Sequence, residues 1–264
     1  MKKNGFRTAG LRVLRVLAVL AVWLAVWEAF AYAVGLTIVL PTVEETASEF
    51  FRLLASSGFY LSCALSLLRI LCGYLLGILL GLLFSFLSVR ARFLRDLFSP
   101  AMTVIRSTPV ASFILVLWVL IGSENVPVAI AVLMVLPVIY QNITDGHAAT
   151  DPALLEVCRV YGIRGMRRFR LLTLPTLLPY LIPALTAGAG FAWKAGVAAE
   201  IICYTKNSIG QEIYLAKNSF ESARMFAFTI AVILLSVALE KSVRLLGKGV
   251  LSRARHGTHP ENLR

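Results

Sequence analysis

YLSCALSLLRILCGYLLGILLGLLFSFLS, residues 60–88, carries a single charged side chain, Arg69, and no proline. About 20 apolar residues suffice for a helix to cross the hydrocarbon core of a bilayer, and this run is longer. Its small residues recur every fourth position, at Gly73, Gly77, Gly81 and Ser85, which is helical spacing and not the alternation of a strand. Comparable apolar runs lie on either side. Together they predict spans at about 16–38, 60–88, 101–121, 126–143, 178–203 and 223–246. The expected fold class is an all-α polytopic membrane protein of about six transmembrane helices.

Composition agrees. Hydrophobic residues make up 58% of 264 and charged residues 15%, where a soluble domain carries about a quarter charged. A formal charge of +12 in a soluble protein would raise nucleic-acid binding, but here the basic residues sit between apolar runs and form no basic face, so no nucleic-acid partner is expected. Nineteen of them fall on one side of the predicted spans: Lys2, Lys3, Arg7, Arg12 and Arg15; Arg90, Arg92 and Arg95; Arg159, Arg164, Arg167, Arg168 and Arg170; and six from Lys241 onward. Four fall on the other side, at Arg52, Lys206, Lys217 and Arg224. Because Lys and Arg are enriched in cytoplasmic connections, both termini are expected in the cytoplasm of a multi-pass cell-membrane protein, as an even number of spans requires.

Several function classes drop out. Cys63, Cys72, Cys158 and Cys203 have no metal-type spacing and imply no disulfide framework. His147, His256 and His259 lie outside the predicted spans, and no Ser/His/Asp set appears, so no catalytic or metal residue is expected. Ala29-Phe30-Ala31 imitates a signal-peptide cleavage site, yet the apolar stretch runs from Val16 to Leu40 with only Glu28 interrupting, so an uncleaved first span is expected. Ala184, Gly188, Ala192 and Gly196 repeat the small-residue stripe in the fifth span, which reads as close helix packing. Charges inside spans are costly unless paired. Glu28 and Arg69 lie at similar depth and are expected to pair, while Lys194 and Glu200 sit in the outer third of the fifth span, within reach of water.

The connection from Asp151 to Pro175 is the most structured of the loops. Asp151-Pro152 is a helix start, with Asp as cap and Pro in the first turn. Ala153 to Tyr161 then predicts a short helix, and Gly162 a left-handed stop. Leu154, Leu155 and Cys158 give it an apolar face. Such a helix suits docking into a partner's groove or lying in the membrane interface with its arginines on anionic lipid; periodicity does not separate the two.

Glu156-Val157-Cys158, three residues, Gly162, nine residues, then Leu172-Thr173-Leu174-Pro175 resembles the EAA signature of ABC importer permeases. Glu156, Gly162, Leu174 and Pro175 match in register; Val157 and Cys158 replace two alanines and Leu172 an isoleucine. Ser66-Leu67-Leu68-Arg69, Arg106-Ser107-Thr108-Pro109, and Phe191-Ala192-Trp193-Lys194 with Val197-Ala198-Ala199-Glu200 are similar to stretches of the nitrate, sulfonate and taurine branch. Lys194 stands where that branch often has Arg.

The resemblance implies a type I ABC importer permease fold. Residues 1–58 would hold the N-terminal tail, first span and external loop. The transmembrane domain would run over 59–246 with a coupling loop at 144–177, followed by a basic tail at 247–264. It implies coupling through Leu154, Leu155, Glu156, Cys158, Tyr161, Gly162, Leu174 and Pro175, and a translocation path touching Arg106, Trp193, Lys194 and Glu200. The implied partners are a cytoplasmic ATP-binding subunit, an extracytoplasmic substrate-binding protein, a second permease copy as a homodimer, and membrane lipid. ATP and Mg would sit on the ATPase: this chain has no Gly-x-x-x-x-Gly-Lys-Ser/Thr loop and is expected to bind no cofactor and to be no enzyme. The implied solute is a small anion such as a sulfonate, taurine or nitrate. The alternative is a secondary transporter driven by an ion gradient, which would place ionisable groups near midplane and often show inverted repeats.

Overall fold

A computed structural model describes residues 3–256, with side chains for 14–249. The predicted tail charges at Lys2, Lys3, Arg7, Arg12, Arg253, Arg255 and Arg264 lie outside the described side chains. The described residues are helical and contain no strand: α1 Lys3–Val34, α2 Val43–Leu54, α3 Ser57–Arg90, α4 Arg92–Ser107, α5 Val110–Ile121, α6 Val126–Ala148, α7 Pro152–Val160, α8 Gly165–Arg168, a π turn at Phe169–Thr173, α9 Leu174–Cys203, α10 Ile209–Asn218 and α11 Ser222–His256. Five segments are long and apolar enough to cross a membrane: Leu14–Val34, Ser57–Arg90, Val126–Ala148, Gly165–Cys203 and Ser222–Gly249.

The predicted span at 101–121 needs correction. It is two helices, α4 and α5, bent by 104°. Pro109 explains the break, because its ring pushes the preceding residue out of the helical region, and Thr108 is extended at ψ 134°. Alone, α5 is about 18 Å long, too short to cross. Counted as one broken span, the pair brings the total to six.

Two compact units divide the chain. The first joins Met1–Tyr60 to Glu212–Ala231. Here Thr42 caps α2 through a reciprocal capping box with Glu45, and Trp27 packs on Phe226 with ring centroids 5.7 Å apart. Glu28 is not the partner of Arg69: its carboxylate accepts the Val43 N–H at 2.8 Å, at the positive end of α2.

The second unit, Leu61–Gln211 with Val232–Arg264, contains the helices around both candidate sites. The glycine stripe of α3 lies on α6, where a Cβ at Gly77 would stand 2.8 Å from Val135 Cβ and one at Gly81 2.7 Å from Ile139 Cβ. Backbones approach this closely only where side chains are missing. The α9 stripe serves the same end, since a Cβ at Gly196 would be 2.6 Å from Ile70 Cγ1. Both stripes are packing devices, as expected.

Candidate functional site

The loop helix α7 is held at both ends. Asp151 Oδ1 accepts the Ala153 N–H at 2.8 Å, and Pro152 fills the first turn. At the other end Gly162 adopts φ +65°, the left-handed conformation, and Ile163 N donates to Cys158 O at 2.8 Å. This is the six-to-one bond of a Schellman stop. Nothing lies within 4 Å of a Cβ at Gly162, so dihedral angle alone, and no packing, selects glycine there.

The two faces of α7 differ from the single apolar face expected. Cys158 is buried and Leu155 half-buried, so these two anchor the helix to its own chain. Leu154, Val157, Val160 and Tyr161 are exposed, the last two at 77% each. Glu156 and Gly162 are exposed beside them, whereas Leu174 and Pro175 are half-buried at the start of α9. Sequence reading missed Val157 and Val160, although both fall at helical spacing with Leu154 and Tyr161.

Between loop and span the helix slips register: Leu174 N donates to Phe169 O, five residues back. Pro175 has no N–H for the Leu171 carbonyl, which removes the ordinary four-residue bond at the point where the π turn ends. Pro179 and Pro183 repeat the omission inside α9.

The four residues expected along a path do not come together. Trp193 and Glu200 face inward on α9, both with no exposure. The Trp193 indole donates to Val232 O at 2.9 Å. Glu200 was expected to reach water and instead ties elements together: its Oε2 accepts from Ser66 Oγ at 2.7 Å and from Gly210 N at 3.3 Å. Arg69 Nη1 stands 4.0 Å from the other carboxylate oxygen, which has no hydrogen-bond donor. Arg69 also binds Glu124 at 3.2 Å and donates to the Lys206 carbonyl at 3.0 Å. Trp193 and Glu200 thus both bind α9 to other elements of the same unit.

Arg106 and Lys194 are exposed and line neighbouring cavities. One of about 400 Å³ joins Arg106 to Gln141, Asn142 and Phe191. The other, about 530 Å³, joins Lys194 to Thr186, Phe191, Glu240 and Arg244. Phe191 lines both cavities. Glu240 is a further acid within a span, and its carboxylate sits against Gly190, whose missing side chain makes the room. A lone Glu in the apolar run of α11 was the available signal. Arg106 is the charged residue of the first cavity, while Lys194 and Arg244 share the second with the Glu240 carboxylate. Among the described residues no group of His, Cys, Asp and Glu could hold a metal.

Comparison with known proteins gives a consistent outcome. Residues 73–252 match the family described as binding-protein-dependent transport system inner membrane component. The putative aliphatic sulfonates transport permease protein SsuC of Escherichia coli is 30% identical over 214 residues, covering 80% of this chain and 79% of that protein. The nitrate import permease protein NrtB of Synechocystis is 24% identical over 246 residues, covering 89% and 88%. A chain of the MetNI methionine ABC transporter, solved in inward-facing conformations, superposes with a TM-score of 0.54 at 18% identity over 76% of this chain and 96% of that one. That last likeness is one of fold.

Proposed function

The chain belongs to the family of binding-protein-dependent transport system inner membrane components, as the permease subunit of an ABC importer, and from that premise we propose that α7 couples ATP hydrolysis to the passage of a small anion. The permease is a multi-pass inner-membrane transport subunit, not an enzyme, and works with an ATPase and a substrate-binding protein carried on other chains. A gradient-driven secondary transporter is set aside by that family.

The observation that carries the coupling reading is the capping of α7 at both ends with an apolar face left outward. A nine-residue helix is marginal in water. Asp151, Pro152 and Gly162 offset that weakness, and a stiff helix transmits force that a loop would absorb. ATP and Mg bind the partner, whose closure draws the α7 helices of two permease copies together. Glu156 and the face of Leu154, Val157, Val160 and Tyr161 sit in the ATPase groove. Leu155 and Cys158 hold α7 to its own bundle, and Leu174 with Pro175 connects it to α9.

The anion reading rests on Arg106 and Lys194, each in a cavity beside Phe191. The sulfonate and nitrate names of two relatives favour a sulfonate, taurine or nitrate. Both termini face the cytoplasm, a reading supported by the excess of basic residues on one side of the spans. The second permease copy is another molecule of this chain, facing the exposed stripe of Pro183, Ala187, Phe191 and Lys194 on α9. Proteoliposomes holding this chain with its ATPase and binding protein should take up the anion bound by that binding protein when ATP is supplied. Uptake undiminished by Glu156→Lys and by Gly162→Pro would refute the coupling role.

A further inference from the structure

Three arginines cluster where α3 ends and α4 begins, at Arg90, Arg92 and Arg95. They line a cavity of about 370 Å³ whose wall is completed by Ser88 and Thr144 and by His147 near the end of α6. A second cavity, about 440 Å³, shares Arg90 and His147 and adds Arg168 from the segment that follows α7. No carboxylate lines either one. The nearest acids along the chain are not among the lining residues: Asp145 accepts from Gln141 at 2.8 Å, and Asp96 is exposed on α4. Among the described residues, none of the four arginines forms an ion pair.

Four like charges gathered without a counter-charge repel one another, and an anion between them relieves that cost. Arg is also the side chain best shaped for phosphate, through its forked donors. No side chain caps the start of α4, so its first amides add partial positive charge to the same region.

The second cavity supplies what a soluble anion would not need. Phe86, Ile143, Phe169 and Leu177 give it apolar walls, continuous with the arginine-lined part. A polar head on arginines with an apolar channel beside it is the shape of a lipid, and basic pockets between helices at the cytoplasmic surface bind anionic headgroups. We propose that these joined cavities are a binding site for a phosphoryl anion, filled by the headgroup of an anionic phospholipid with its acyl chain along Phe86 and Phe169. Since Arg168 and Phe169 also lead into α9, the lipid would brace the coupling segment from behind. Only the assignment to the inner leaflet rests on the orientation proposed above; the chemistry of the cavity does not.

The test uses the full-length chain, delipidated in a neutral detergent, titrated with acyl-labelled phosphatidylglycerol and with the matching phosphatidylcholine. Saturable binding of phosphatidylglycerol at least tenfold tighter is expected. Each arginine charge near such a headgroup is worth about fivefold, so Arg90→Gln with Arg92→Gln should weaken binding about 30-fold. Arg90→Lys with Arg92→Lys keeps the charge but loses the fork and should weaken binding less than the glutamine pair does, which separates lost charge from misfolding. Lys241→Gln with Lys248→Gln, an equal loss of charge outside the cavity, should change it less than about twofold. Equal affinity for the two lipids, or a glutamine variant that binds like the parent, overturns the site. Glycerol 3-phosphate that binds as tightly as the lipid would overturn the lipid assignment and make a soluble phosphate ester the ligand. None of these readouts involves transport, so a failed coupling role and a failed lipid site remain separable.

Discussion

Gly162 offers a test in which conformation is varied with little else. Its φ of +65° costs an L-residue about 1–2 kcal/mol, and the space around its missing Cβ is empty. Gly162→Ala therefore acts through the backbone alone. Adding Asp151→Ala removes the N-terminal cap, at about 1 kcal/mol. Together the two changes weaken α7 by about 2–3 kcal/mol, a shift of about 30- to 150-fold in the ratio of formed to frayed helix. Gly162→Asn should be nearly silent, because Asn tolerates the left-handed region. Gly162→Pro should be worst, since its φ is fixed near −65° and its missing N–H breaks the 3.2 Å bond to Arg159 O. The assay is anion uptake per ATP hydrolysed in proteoliposomes holding the assembled importer. The expected order is Gly, Asn, Ala, then Pro, with hydrolysis outlasting uptake as coupling fails. Equal uptake by the Asn and Ala variants, or full coupling in the Asp151→Ala/Gly162→Ala double variant, would refute the need for a stiff helix.

Other expectations follow from the bundle. Glu200→Ala should lower thermal stability by about 2 kcal/mol, because it removes the acceptor of both the Ser66 hydroxyl proton and the Gly210 amide; a melting curve unchanged from the parent would contradict the tie. Gly196→Ala sets a methyl group 2.6 Å from Ile70 Cγ1, at a cost of about 1–3 kcal/mol, and Ile70→Ala in the same chain should recover part of it. A double variant no more stable than Gly196→Ala would place the strain elsewhere. Lys194→Met should reduce anion uptake about fivefold at low salt and less at high salt, with assembly intact. Unchanged uptake would make Lys194 a structural residue.

Much of α7 is legible in the sequence because its signals are local. Asp151-Pro152 and Gly162 act on backbone atoms within a few residues, so they mean the same thing in any fold. The two faces of α7 are less legible: which apolar residues turn inward depends on where the bundle lies, and Cys158 and Val157 look alike in a string of letters. The span at 101–121 misleads for a related reason. Its hydropathy is continuous, and only Pro109 betrays a bend that hydropathy does not register. α2 was readable from Thr42 and Glu45, a capping box just before an apolar stretch.

Buried charge is the least legible feature. Arg69 has an obvious need for a carboxylate, but Glu28, Glu124, Glu200 and Glu240 are equivalent candidates until distance chooses among them. Depth along a helix favoured Glu28, whereas the observed partners, Glu124 and Glu200, come from the α5–α6 turn and the end of α9. The basic cavity at Arg90, Arg92 and Arg95 was visible only as loop charge. Its neighbours His147 and Arg168 come from elements more than 50 residues away, and nothing in the local pattern brings them together.

The central claim, that the outward face of α7 meets the ATPase, is tested most directly by photo-crosslinking from single positions in the membrane-embedded complex. A benzoylphenylalanine at Val157 or Tyr161 should join this chain to the ATPase subunit, with a yield that changes when ATP is added. The same group at Cys158, on the buried face, should give no such product. Crosslinks from Val157 and Tyr161 to lipid alone, or equal yields from all three positions, would contradict the account.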